Sequence, residues 1–241
     1  MKMTMGLATA GLTAAGLTVA ATADITSAYV TQYTVTATQF DGTVVTVNVQ
    51  DLYLSSNDAA DSVLNIYNFN LGPEAQVDFY QSQTAPTWSP GNLGGPFDTE
   101  ATRRADSFVT IGGFEQGVLY PEQSPGTGNG IGLDPNFGGE NAAYPGLNAG
   151  WYNGSPPSLA GQVGDVAIPG PDGAPAGFGL GVLIGRFAYQ GDFSLDGTSL
   201  ETTWNQGLGT PGQQLEFTIV PAPGALALLG LVGLVGTRRR Q

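Results

Sequence analysis

In two runs between Tyr33 and Gln50 the side chains change character at every residue. Tyr33, Val35 and Ala37 alternate with Thr34, Thr36 and Thr38, and beyond Asp41-Gly42 the valines Val45, Val47 and Val49 alternate with Thr46, Asn48 and Gln50. A period of two belongs to a strand with one apolar and one polar face. Asp-Gly between two such runs marks a tight turn, so the chain is committed early to an antiparallel hairpin. The phase slips near Asp51, after which Leu52 and Leu54 form the apolar pair. A slip of one predicts a β-bulge or bend there.

The same reasoning places strands at residues 63–71, 76–80, 107–111 and 117–120. Residues 180–190 are almost continuously apolar around Arg186. That predicts a central strand buried on both faces, with Arg186 paired to a buried carboxylate. Leu200, Thr202 and Trp204 alternate with polar neighbours, as do Leu215, Phe217 and Ile219, and the glycine-rich residues 207–212 join them as a hairpin. No convincing amphipathic helix interrupts the strands. The predicted fold class is all-β, an antiparallel and jelly-roll-like β-sandwich with long Gly/Pro-rich loops. Those loops are expected over residues 81–178, where Pro supplies turn corners and Gly supplies positive φ. Their many aromatics, among them Trp88, Phe137, Trp151 and Tyr152, imply that the loops pack on the sheet.

The two ends read differently from the body. Lys2, the apolar residues 5–20 and the small-x-small triplet Ala21-Thr22-Ala23 form a signal peptide over residues 1–23, with cleavage between Ala23 and Asp24. Residues 221–241 run Pro221-Ala222-Pro223, then an apolar stretch at 224–236, then Arg238, Arg239 and Arg240. Thirteen apolar residues make a helix of roughly 20 Å, short of the roughly 30 Å hydrocarbon core, so the predicted transmembrane helix is a marginal one. The arginines would hold the end in the cytoplasm and put everything before Pro221 outside.

This order of pieces resembles the PEP-CTERM sorting signal. Pro221 and Pro223 match the two prolines of that family's box, residues 226–235 its apolar segment, and Arg238 to Arg240 its terminal cluster; Ala222 stands where the family has Glu. The resemblance implies recognition by an exosortase-like processing enzyme after signal peptidase, transient anchoring through the C-terminal helix, and release to the cell surface or extracellular matrix.

Between the ends lie residues 24–220, 197 residues, enough for one domain with a real core. They hold three arginines against all 20 acidic residues, a net charge of −17. Such a surface repels nucleic acid and anionic lipid. The body contains no His, Cys or Lys. This excludes Ser-His-Asp and Cys-His sites, lysine Schiff bases, imidazole or thiolate zinc, and the P-loop. Carboxylate chemistry remains. A glycoside hydrolase needs two carboxyl groups about 5–10 Å apart, and Glu201 and Glu216 are expected on the polar faces of adjacent strands.

Two binding chemistries are open to such a body. Calcium takes hard oxygen donors in turns, and Asp134 with Asn136, and Asp192 with Asp196, are the candidate donors. Trp88, Trp151, Tyr152 and Trp204 are candidate stacking residues for a glycan. The expected function is therefore an exported, non-enzymatic envelope or matrix protein of structural or adhesive role. A calcium-assisted module binding extracellular polysaccharide is the alternative, and a carboxylate-pair glycoside hydrolase a second one.

Overall fold

A computed structural model describes residues 24–91, 93–124, 130–154, 161–207 and 209–220. The expected signal helix at 1–23 and the expected sorting segment at 221–241, with its transmembrane helix, lie outside the described residues. Among the described residues no helix is long and apolar enough to cross a membrane.

Among the described residues ten strands and one short α-helix follow in chain order. They are β1 (Ile25–Thr38), β2 (Val44–Ser56), β3 (Ser62–Asn70), α1 (Glu100–Arg104), β4 (Phe108–Val109), β5 (Ile131–Leu133), β6 (Ala149–Asn153), β7 (Gly164–Pro169), β8 (Pro175–Tyr189), β9 (Ser199–Asn205) and β10 (Gln213–Thr218). All pairings are antiparallel, so the all-β expectation holds. One sheet, A, runs β1-β2-β8-β4 with β7 also on β8; the other, B, runs β10-β9-β3-β6-β5. The two share one core, to which A contributes Leu52, Leu54, Val182, Ile184 and Phe187, and B contributes Val63, Ile66, Phe69, Trp151, Leu200 and Trp204. Phe69 of B stacks on Phe187 of A at 5.8 Å between ring centres.

The hairpin expected from the alternation is β1–β2, in continuous register from Thr38↔Val44 to Ser27↔Ser55. Gly42 has φ 83°, which the turn requires and a glycine adopts without strain. Asp41 holds the turn, accepting from the Thr43 hydroxyl at 2.6 Å and from Gln83 Nε2 at 3.0 Å. These bonds, the Thr43 hydroxyl first, lower the Asp41 pKa to about 2.

The expected bulge at Asp51 is absent from β1–β2. What changes there is which side of the strand is covered. Val45, Val47 and Val49 pack with Val35 and Ala37 against Ala101 of α1 and Ala105, its C-cap, on the face turned away from B. Leu52 and Leu54 belong to the opposite face, in the core shared with B. The strand passes from one core to another without changing register. A register shift does occur nearby, in β8, where Ile184 is extra between Leu183↔Tyr53 and Gly185↔Leu52.

Three other expectations are corrected. Residues 76–80 are irregular because their amides bond singly to separate partners, Phe79 to Ala143 and Tyr80 to Ala188. Residues 117–120 are a run of bends, with Gly117 at φ 72°. Within 81–178, β4 falls inside the strand expected over 107–111, but α1, β5, β6 and β7 stand where only loops were expected. Helix α1 was hidden by its length; Thr99 caps it by accepting from the Thr102 amide at 3.1 Å, and Glu100 pairs with Arg104 one turn on at 2.7 Å.

Arg186 is the expected buried cation, and its partner is Asp51. Both side chains are fully buried, and Nε meets Oδ1 at 2.7 Å. Arg186 also donates to the Tyr33 hydroxyl at 2.9 Å, to the Pro121 carbonyl, and to the last carbonyls of α1, Arg103 and Arg104, at 3.3 Å. Every donor is thus aimed at an acceptor. Removing one partner strands the other charge in the core, at a cost of about 3–5 kcal/mol.

Strand β8 also builds the third layer. Past Gly181 it leaves β2 and continues as a hairpin with β7. That hairpin lies across the outer face of A, where Tyr29 reaches the Ala167 carbonyl at 3.0 Å and Tyr29 stacks on Tyr53 at 5.4 Å. Its tip bonds the free edge of β1, with the Gln32 amide donating to the Gly173 carbonyl at 2.9 Å.

Candidate functional site

The sequence-derived site residues scatter. Trp88, Trp151 and Trp204 are 0, 1 and 2 % exposed. Trp88 Nε1 donates to the Ala142 carbonyl at 2.7 Å and Trp151 Nε1 to the Thr110 carbonyl at 2.9 Å. They are core residues, and a ring with no exposed face cannot stack on a sugar. Tyr152 alone of the four is exposed, lying over Gly132 of β5, where a Cβ would come within 2.3 Å of its ring. Asp134 is spent as a cap, its Oδ1 accepting from the Phe137 amide at 2.9 Å, while Asn136 donates to the Asn148 carbonyl at 3.3 Å. Among the described residues no three carboxylate side chains come together as metal donors. Ala23, Pro221, Ala222, Pro223 and Arg238 to Arg240 lie outside the described residues; Asp24 is at the start of β1, its amide bonded to Asn57 Oδ1 at 2.8 Å.

Glu201 and Glu216 do meet. They are directly opposed across β9 and β10 on the outer face of B. Glu201 accepts from Asn68 Nδ2 at 2.7 Å.

The polar side of the β1–β2 hairpin carries a more organised surface. Its opposite side is sealed by α1, while on this side residues 34–38 of β1 and 44–47 of β2 alternate between exposed and buried. The exposed side chains stand in cross-strand pairs: Gln32 with Gln50, Thr34 with Asn48, Thr36 with Thr46, and Thr38 with Val44. Only Gln50 of these is buried, at the foot of the array. Thr34 donates to Asn48 Oδ1 at 3.0 Å, and the Thr36 and Thr46 hydroxyls are 3.0 Å apart. At the same foot a groove of about 330 Å³ opens, lined by Gln32, Tyr33, Thr34, Asn48, Val49, Gln50, Asp172, Asp192 and Phe193. A pocket of this size is at the small end of the range that holds small ligands.

Each wall of the groove is fixed from elsewhere. Gln32 Nε2 donates to the Asp172 carbonyl at 2.9 Å, tying the β7–β8 tip to β1. Asn48 donates to the Gly191 carbonyl at 3.1 Å, and Gln50 both donates to the Phe193 carbonyl and accepts from the Leu195 amide. These hold the 191–195 loop as the far wall. Behind the groove, Tyr33 is locked through its hydroxyl to Asp51 at 2.6 Å and to Arg186. Burial, with the charge of Asp51 adding to it, raises the Tyr33 hydroxyl far above the usual tyrosine range, so it stays a neutral bridge.

Of the groove residues only Asp192 was expected to bind anything, and that was calcium. Thr34 and Asn48 were expected only as the polar faces of strands. Asp172 and Phe193 come from loops distant in sequence, and only the fold brings them beside Gln32. The visible signal was the period-two row of threonines and amides. Chemically the groove can donate and accept hydrogen bonds from fixed positions.

Comparison of the chain with protein-family models, curated proteins and solved structures finds no match. The reading of function therefore rests on the chain's own residues.

Proposed function

We propose that this is an exported, non-enzymatic protein of the cell surface or extracellular matrix, with a structural or adhesive role, sorted through a PEP-CTERM-like C-terminal segment. The observation that carries the reading is the order of Pro221-Ala222-Pro223, an uncharged apolar stretch and three terminal arginines. The whole chain on this reading is a jelly-roll-like β-sandwich flanked by a signal helix and a short transmembrane helix. The body's geometry is compatible with removal of the tail. Ile219 is the last residue seated in the core, its amide bonded to the Thr198 carbonyl at 2.8 Å, and Val220 is 65 % exposed. A cut at the proline box would sever no strand.

Intact-mass analysis of the protein isolated from its native envelope tests this. The expected product begins at Asp24 and lacks Arg238 to Arg240. A product retaining those arginines overturns the processing step.

A glycan-binding role is the second reading, favoured by the polar groove rather than by the tryptophans. Its calcium-assisted form gains no support from Asp134, whose carboxylate is already engaged.

A further inference from the structure

Resting on the surface reading above, we infer that the β1–β2 face and its groove bind a neutral polysaccharide, with the groove seating one sugar unit and the threonine row carrying the chain onward. The body has a net charge of −17, yet none of the eight paired side chains of this face is charged. In a molecule with 20 carboxylates, a contiguous charge-free hydroxyl and amide row excludes polyanions by its surroundings, and along the row itself a polycation finds no charge to pair with, the two groove carboxylates Asp172 and Asp192 lying only at its foot. What suits it is a ligand that both donates and accepts at many uncharged points. Sugar hydroxyls do this. Where Thr36 meets Thr46 one hydroxyl donates to the other, so one proton per pair stays free for a ligand, and each oxygen keeps acceptor capacity.

The groove adds the features that fix a sugar in place. Asp192 is exposed and its carboxylate makes no hydrogen bond among the described residues; Asp172 uses Oδ1 on the Ala174 amide at 3.1 Å and keeps Oδ2. Carboxylates accept from hydroxyls with the strength of charge-assisted bonds. Gln32 and Asn48 are held by backbone bonds, so little entropy is lost when a ligand meets them. Phe193 supplies an apolar edge to the same groove.

The test uses the processed protein purified from its native source, with variants produced in that source. Titration calorimetry is run with soluble neutral oligosaccharides, namely β-1,4-glucan, β-1,3-glucan and α-mannan hexamers, and with polygalacturonate as the anionic comparison. Binding of at least one neutral hexamer, with polygalacturonate bound at least tenfold more weakly, is the expected result. Thr34→Val removes a hydroxyl at constant volume, and Asp192→Asn removes a charged acceptor. Each should weaken binding about tenfold, the loss of one good hydrogen bond, at an unchanged melting midpoint. Glu201→Gln on the outer face of sheet B should bind as the native protein does.

No binding to any neutral hexamer, equal binding by Thr34→Val and Asp192→Asn, or preference for polygalacturonate each overturns the proposal. So does sedimentation showing a dimer abolished by Thr36→Lys, which would make the face a contact between copies. Failure here with correct tail processing leaves the surface reading standing. Binding without processing does the reverse.

Discussion

Asp106 is buried completely where a charge has little to hold it. Its Oδ1 accepts from the Ser82 amide at 2.7 Å, and Oδ2 has no partner in hydrogen-bond geometry among the described residues. Burial pushes the carboxyl well above its ordinary range, against the smaller pulls of Ser82, Gln123 and Arg186. The neighbouring Tyr80 hydroxyl is raised to about 12, by burial first and then by the charges of Asp106 and Asp41. A raised folded pKa means that the folded state holds the proton longer than the unfolded one. Asp106 then contributes fully below the unfolded carboxyl pKa of about 4, and loses ground as pH climbs toward its folded value. Asp106→Asn keeps the acceptor for Ser82 and cannot ionise. Melting curves from pH 4 to 9 should show the variant and native proteins converging near pH 4, with the variant gaining steadily above it. A gap independent of pH would mean that Asp106 is ionised in the fold. Arg186 shows what was legible at this scale. An arginine inside an apolar run demands a buried carboxylate, and the structure supplies one. That Asp51 is the one, of 20 acidic residues, follows only from the pairing of β2 with β8.

The elements read best where one face of a strand meets water. β1, β2, β9 and β10 alternate in sequence; β2, β9 and β10 were expected close to where they lie, and β1 over its second half, residues 33–38. They fail where both faces are covered or the strand is short. Leu52 and Leu54 looked like a slip because the sequence reports which side is apolar, not which layer covers it; nothing in it announces that α1 shields one end of the hairpin and sheet B the other. The third layer was hidden by glycine. Gly177 read as the end of the loop region and Gly181 as part of the strand expected over 180–190, yet both, with Gly179 between them, lie within β8. At Gly181 a Cβ would sit 2.4 Å from the Leu54 carbonyl oxygen, so the strand can pass close to β2 only without a side chain. At Gly177 an added Cβ would meet the Ile168 side chain at 3.6 Å, an ordinary contact. Gly181→Ala should therefore cost about 1–3 kcal/mol, the range for forcing atoms into a packed site, which lowers the melting midpoint by roughly 2–4 °C per kcal/mol in a domain of this size. Gly177→Ala should stay within about 0.5 kcal/mol. Equal effects would show that the close approach at Gly181 does not shape the fold. Gly181→Ala should also loosen the β7–β8 tip, and with it the Asp172 wall of the groove.

Over the whole molecule the charge is lopsided in number and in place. The three arginines of the body are all engaged: Arg103 with Asp98, Arg104 with Glu100 and Glu122, and Arg186 with Asp51. Two of them belong to α1 and the third donates to its last carbonyls, so the positive charge is gathered at one spot. Elsewhere in the body the acidic residues far outnumber the cations, and Glu201 stands directly opposite Glu216 across β9 and β10. Folding draws these charges together, so their repulsion weighs on the folded state more than on the unfolded chain. Salt relieves it, since the Debye length falls from about 30 Å at 0.01 M to about 8 Å at 0.15 M. Salt also screens the exposed Arg104 pairs, but such pairs are worth no more than about 1 kcal/mol, and the Arg186 pair is out of its reach. The melting midpoint at pH 7 should thus rise with sodium chloride, most steeply below about 0.15 M, and choline chloride should act alike because screening does not depend on the cation's identity. A midpoint that falls with salt would mean that the surface pairs outweigh the repulsion. Calcium chloride at matched ionic strength divides the remaining readings. A shift equal to that of magnesium chloride assigns the whole effect to screening, and a larger one would restore a specific calcium site to the turns that carry Asp134 or Asp196.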